Sequence, residues 1–138
     1  NATYVYAAYN SDRIVPSEGQ GVNVNGNKLP YAPELTMSSA LTIETPFGSG
    51  LRLTNTYVSN QYTDELNTIV PSNNGRIGEM PSFNVIDATL YQRIPKINSQ
   101  VNLSIKNLTD ERYISTRRPE GIRVGLPRFI TAGFEVNF

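Results

Sequence analysis

The chain is 138 residues long with a mass of 15.3 kDa, which bounds it to one domain. It is 38% hydrophobic and only 17% charged, where globular chains average roughly 45–50% and about 25%, and uncharged Asn, Thr and Ser make up the difference. Zero Cys and zero His exclude disulfide scaffolds, thiol and histidine catalysis and most zinc sites, while 12 basic residues against 12 acidic ones leave no electrostatic footprint for nucleic acid.

Nine prolines punctuate the chain, and proline is excluded from the interior of a paired sheet. Between them the sequence predicts six strands, at about residues 2–14, 34–45, 51–63, 82–94, 100–112 and 127–138. No segment shows the apolar spacing of a helix. In the second strand Leu35, Met37, Leu41 and Ile43 share one phase, and Thr36, Ser38, Ala40, Thr42 and Glu44 the other. The third sets Leu51, Leu53 and Tyr57 against Arg52, Thr54 and Thr56. Ile86, Ala88 and Leu90 of the fourth are placed on the apolar side, which puts Asp87 on the polar one. The fifth sets Val101, Leu103 and Ile105 against Asn102, Ser104 and Lys106, and the sixth Ile130, Ala132, Phe134, Val136 and Phe138 against Thr131, Glu135 and Asn137.

The connections alternate in length. Two are tight, Pro46 to Gly50 and Pro95 to Ser99; three are long and structureless in expectation, at about 15–33, 64–81 and 113–126. Compact soluble domains rarely carry loops beyond ~12–15 residues, whereas a transmembrane β-barrel alternates short turns with long outer loops. Strands of about 9–11 residues cross the hydrocarbon, and aromatics near strand ends (Tyr62, Phe83, Tyr113 and Phe129 at one end, Phe47 and Phe138 at the other) read as interfacial girdles. Single-chain barrels start at about 8 strands, so six imply a piece of a larger barrel, its C-terminal end. The start, Asn1-Ala2-Thr3-Tyr4, carries no signal-peptide pattern. The competing reading is a soluble β-sandwich in which the apolar rows meet one another.

Four stretches carry a family resemblance: Gly26–Glu34, Gln61–Thr68 with Gly75–Phe83, Asn107–Tyr113, and Gly121–Arg128 with the terminal Phe138. In this order they resemble the C-terminal barrel of TonB-dependent outer-membrane receptors, nearest the ferric citrate receptor type. The resemblance implies an all-β fold, with residues 1–138 supplying the last six antiparallel up-and-down strands of a 22-stranded barrel. It also implies a plug domain and TonB box elsewhere, a location in the bacterial outer membrane, and import of a ferric chelate as transported substrate. No cofactor and no enzymatic activity are expected. Partners would be the chelate, TonB through the absent N-terminal part, outer-membrane lipid and lipopolysaccharide, and the barrel assembly machinery. Within the family the alternative substrate is another siderophore or a carbohydrate.

No catalytic constellation is visible: Asp64-Glu65 and Asp110-Glu111 are sequence neighbours whose side chains diverge on extended backbone. The binding candidates are the arginines of the final long loop, Arg117, Arg118 and Arg123, opposed there only by Glu120, with Arg76 and Gln61 of the middle loop behind them. Guanidinium offers bidentate bonds to carboxylate and stays charged at working pH. Arg128 is read as a structural ion-pair partner. Phe138 is the candidate assembly signal, by similarity to the terminal aromatic of barrel proteins.

Overall fold

The computed structural model describes residues 1–119 and 121–136. The described residues form ten strands: β1 (Ala2–Tyr4), β2 (Ile14–Ser17), β3 (Gln20–Asn23), β4 (Leu35–Glu44), β5 (Ser49–Val58), β6 (Phe83–Ile94), β7 (Ser99–Lys106), β8 (Ile114–Thr116), β9 (Arg123–Val124) and β10 (Phe129–Val136). Six of them form one antiparallel sheet in the order β1-β4-β5-β6-β7-β10, each strand beside the next sheet strand in the chain. The described residues contain no α-helix, only a 3-10 turn at Pro95–Ile97 that joins β6 to β7. Asn98 closes that turn in the left-handed region at φ 47°. β1 and β10 each pair on one side only, so both sheet edges are open among the described residues.

The register stacks like with like. Leu41, Leu53, Ala88, Ile105 and Ile130 form one cross-strand row, and Ile43, Leu51, Leu90, Leu103 and Ala132 the next row on the same face. One residue over, Thr42, Arg52, Thr89, Ser104 and Thr131 make a polar row on the other face. A one-residue slip would exchange these faces along a whole strand, so the pattern itself pins the register. The apolar face has no second layer: Leu41 is 57% exposed and Phe134 61%. The sandwich reading needs these side chains interdigitated, and they are not.

The polar face carries Glu44, Arg52, Asp87, Lys106 and Glu135, as their phase predicts. Lys106 Nζ lies 2.8 Å from Asp87 Oδ2, and Arg93 Nη2 lies 3.1 Å from Glu44 Oε1. Two expected girdle aromatics sit on this side instead: Phe83 shares the phase of Asp87, and Phe129 pairs directly with Lys106. Phe83 stacks on Tyr113 at 4.3 Å. The outward aromatics at the long-loop end are Tyr4 and Tyr57, opposite Leu35 and Met37 respectively. Alternation, not proximity to a strand end, decides the side.

Three predicted strands end early. The first is regular only over Ala2–Tyr4, because its partner segment contains Pro30 and Pro33, which have no N–H to give. Beyond it the pairing thins to single bonds, among them Val5 N to Glu34 O at 2.8 Å and Tyr9 N to Asn27 O at 2.9 Å. The third stops at Val58, with an isolated bridge from Gln61 to Met80. The fifth stops at Lys106, since Asn107 turns to φ 51°. Phe138 and Asn137 lie outside the described residues.

The long loops are not structureless. β2 and β3 form a hairpin in the first, turned by Glu18 and Gly19 with φ of 48° and 81°, the pairing of positive angles that a two-residue type I′ turn requires. β8 and β9 form another in the third loop. The two fully buried apolar side chains among the described residues, Val24 and Met80, both belong to the loop layer. A single sheet offers its side chains to the surroundings on both faces; only the loops fold back on themselves to make a core.

Candidate functional site

The three long loops gather at one end of the sheet. The first docks on the second through a reciprocal pair: Lys28 N donates to Asn67 Oδ1 at 2.7 Å, and Asn67 Nδ2 donates to Lys28 O at 2.8 Å. Arg13 adds an ion pair to Glu65 at 2.6 Å. Within the first loop, Asp12 Oδ1 accepts from Asn23 Nδ2 at 2.8 Å and from Asn25 Nδ2 at 3.2 Å. These bonds, first that from Asn23, hold the Asp12 carboxyl below its usual range. Lys28 is shifted the other way, upward, chiefly by its hydrogen bond to Glu34.

The third loop is anchored at its root by Asn107, which is 2% exposed. Its Nδ2 donates to Glu111 O at 2.9 Å and to Leu126 O at 2.8 Å, and its Oδ1 accepts from Glu111 N at 2.8 Å. The stretch Asn107–Tyr113, singled out in the sequence, is therefore a loop staple. Asp110 contributes by accepting from Arg128 N at 3.0 Å. Arg128 serves structure through that backbone bond; its side chain is exposed and joins no ion pair among the described residues, contrary to the expectation of a salt-bridge partner.

Between the loops lies a cavity of about 640 Å³. Its wall includes Val15 and Pro16 from the first loop, Thr63–Leu66, Arg76 and Ile77 from the second, and Arg117 and Arg118 from the third. Its two wall carboxylates are already engaged. Glu65 pairs with Arg13, and Asp64 accepts from Thr68 N at 3.0 Å and Thr68 Oγ1 at 2.7 Å. The three wall arginines have no carboxylate partner among the described residues.

Their settings differ. Arg76 is exposed at the rim. Arg118 is exposed and lays its guanidinium over the Tyr31 ring of the first loop, 4.6 Å from the centroid, a contact typically contributing about 0.5–1 kcal/mol at such sites. Arg117 is 2% exposed and donates from Nη1 to Gly75 O at 3.0 Å and from Nη2 to Glu79 O at 3.1 Å, while its Nε is buried without a partner. Arg123 lies exposed on β9 and Gln61 in the bridge to Met80; neither lines the cavity. Sequence reasoning missed Tyr31 and Arg13, which carry no local signal because each matters through a partner from another loop. It also missed Thr63, whose hydroxyl bonds both backbone groups of Gly78 across its own loop.

No protein-family model and no curated protein sequence matches the chain. Solved structures do match. The unliganded ferric citrate transporter FecA superposes with a TM-score of 0.71 at 23% identity over 80% of this chain. The siderophore receptor PiuA from Acinetobacter baumannii gives 0.66 at 19% over 88%, and the ferric yersiniabactin uptake receptor FyuA from Yersinia pestis 0.65 at 20% over 83%. The chain shares the fold of a segment of each of these three proteins, an all-β, six-stranded antiparallel sheet. The chain spans 18%, 17% and 18% of those three proteins' lengths.

Proposed function

We propose that the chain is part of an outer-membrane receptor that imports an anionic ferric chelate, energised by TonB, and that the chelate is ferric citrate or a related carboxylate siderophore. The observation that supports this most is the loop cavity. Arg76, Arg117 and Arg118, drawn from two loops, line one space, and the carboxylates beside them are occupied elsewhere. A cavity whose guanidinium groups pair with no carboxylate among the described residues favours a ligand rich in carboxylate oxygens. A carbohydrate would look for an open aromatic face, and the ring of Tyr31 is covered by Arg118. In this reading Arg76 and Arg118 meet the chelate, Arg123 and Gln61 act from outside the cavity wall, and Phe138 serves recognition by the barrel assembly machinery. The exposed apolar rows face lipid, and loop arginines outside the cavity meet lipopolysaccharide phosphates.

The test is ferric citrate binding to the full receptor carrying Arg76→Ala with Arg118→Ala, at verified surface abundance. Losing two charge-assisted contacts at roughly 1.5–3 kcal/mol each is expected to weaken binding by at least about a hundredfold. Unchanged affinity would remove the reading.

A further inference from the structure

Arg117 is a poor ligand contact and a costly strut. Its guanidinium is 2% exposed, yet its partners are two backbone carbonyls and no carboxylate among the described residues. Burying a cation without a counter-charge is expensive, and carbonyl dipoles offset only part of that cost. The partners bracket a cavity residue. Gly75 O belongs to the peptide group whose N–H is that of Arg76, and the other end of the same group is held as well: Arg76 N donates to Asn74 Oδ1 at 3.1 Å. Glu79 O, the second acceptor, lies just past Arg76 in the same loop. On its own side, Arg117 is followed directly by Arg118.

The two loops also meet closely at two glycines. A Cβ on Gly121, which sits at φ 111°, would come 2.8 Å from the backbone oxygen of Asn74, and one on Gly75, at φ 70°, would come 3.2 Å from Ile122 Cγ1. The third loop thus lies against the second at these glycines, and the fork of Arg117 fastens it there. The planar guanidinium holds the two carbonyls from two different nitrogens in a fixed fork; a lysine ammonium, a compact point charge on a flexible stem, does not reproduce that fork, and a thioether donates no hydrogen bond.

We infer that Arg117 is the positioning residue of the cavity, setting the Gly75–Arg76 peptide so that Arg76 presents its charge, beside Arg118, to one ligand. This rests on the proposed anion-binding function. Its test is a double-mutant cycle in the full receptor, with ferric citrate as probe and receptor amount measured in the membrane. Arg117→Met is expected to weaken binding about tenfold, the equivalent of about 1.4 kcal/mol. Arg117→Lys should lose as much, because charge alone does not restore the brace. In an Arg76→Ala background, Arg117→Met should add less than about a twofold loss, since its effect passes through Arg76.

Additive losses would show Arg117 acting on the ligand itself, and full rescue by lysine would show that only charge matters; either overturns the inference. So does unchanged binding with Arg117→Met when Arg76→Ala weakens it. If Arg76→Ala with Arg118→Ala changes nothing, the proposed function fails first, and this inference with it. Should Arg117→Met not reach the membrane, Asn74→Ala releases the other end of the same peptide. It should weaken binding severalfold in the parent and not in Arg76→Ala, and equal loss in both backgrounds would overturn the inference.

Discussion

Tyr91 fills the space that a side chain on Gly50 would occupy. The two residues are directly paired across β5 and β6, and a Cβ on Gly50 would lie 2.1 Å from Cζ of the Tyr91 ring. The hydroxyl of Tyr91 reaches across to donate to Glu44, and Arg93 lies over the same ring at 5.5 Å. A glycine in a strand normally weakens it; here an aromatic from the neighbouring strand covers the gap and draws a carboxylate and a guanidinium into one polar-face cluster.

Gly50→Val should therefore destabilise the sheet by about 1–3 kcal/mol, the usual cost of forcing a packed ring aside. The loss should appear as a lower thermal unfolding midpoint of the purified protein. Combining it with Tyr91→Ala should cost less than the sum of the two single changes. Strict additivity would mean the ring does not need that space.

Asn107 makes a second prediction. Its carboxamide satisfies two backbone carbonyls and one backbone N–H from a buried position. Asn107→Ala would leave these groups to find water or go unpaired, at about 1–3 kcal/mol for each that stays buried. Hydrogen exchange should rise at the Glu111 amide, while the β5–β6 ladder stays protected. Unchanged protection at Glu111 would show the staple to be dispensable.

The first-loop clamp should respond to acid. The folded Asp12 carboxyl is held below its ordinary value by Asn23 and Asn25, so its contribution is present above the unfolded carboxylate range and is lost as pH falls through the lowered folded value. Hydrogen exchange at the Asn25 amide, measured as pH is lowered below that range, should accelerate beyond the intrinsic trend. In Asp12→Asn that extra acceleration should vanish. A pH response identical in both proteins would contradict the assignment.

The sheet was legible because its information is local. Alternation in β4, β5, β7 and β10 is readable residue by residue, and it correctly placed Glu44, Arg52 and Glu135 opposite the apolar rows. Phe83 and Phe129 were misplaced because proximity to a strand end was weighed above phase. The order within the loops is not legible in the sequence because it comes from distant partners: Lys28 with Asn67, Arg118 with Tyr31, Arg117 with the carbonyls of Gly75 and Glu79. Even so, Arg76, Arg117 and Arg118 could be singled out, since clustered arginine in a polar loop is visible without knowing what it packs against. That one of the three is buried could not be read without the glycines that bring the loops together.

In the proposed receptor the apolar rows meet lipid and the charged rows meet water. Residues Leu51, Arg52, Leu53 and Thr54 run through β5 with alternating phase, and this chain has no cysteine of its own. A nitroxide placed at each position in turn, in the full receptor in a bilayer, reports which solvent it meets. Relaxation by oxygen should dominate at Leu51 and Leu53, and relaxation by a water-soluble nickel complex at Arg52 and Thr54. The opposite alternation, or water access at all four positions, would contradict a membrane-spanning wall.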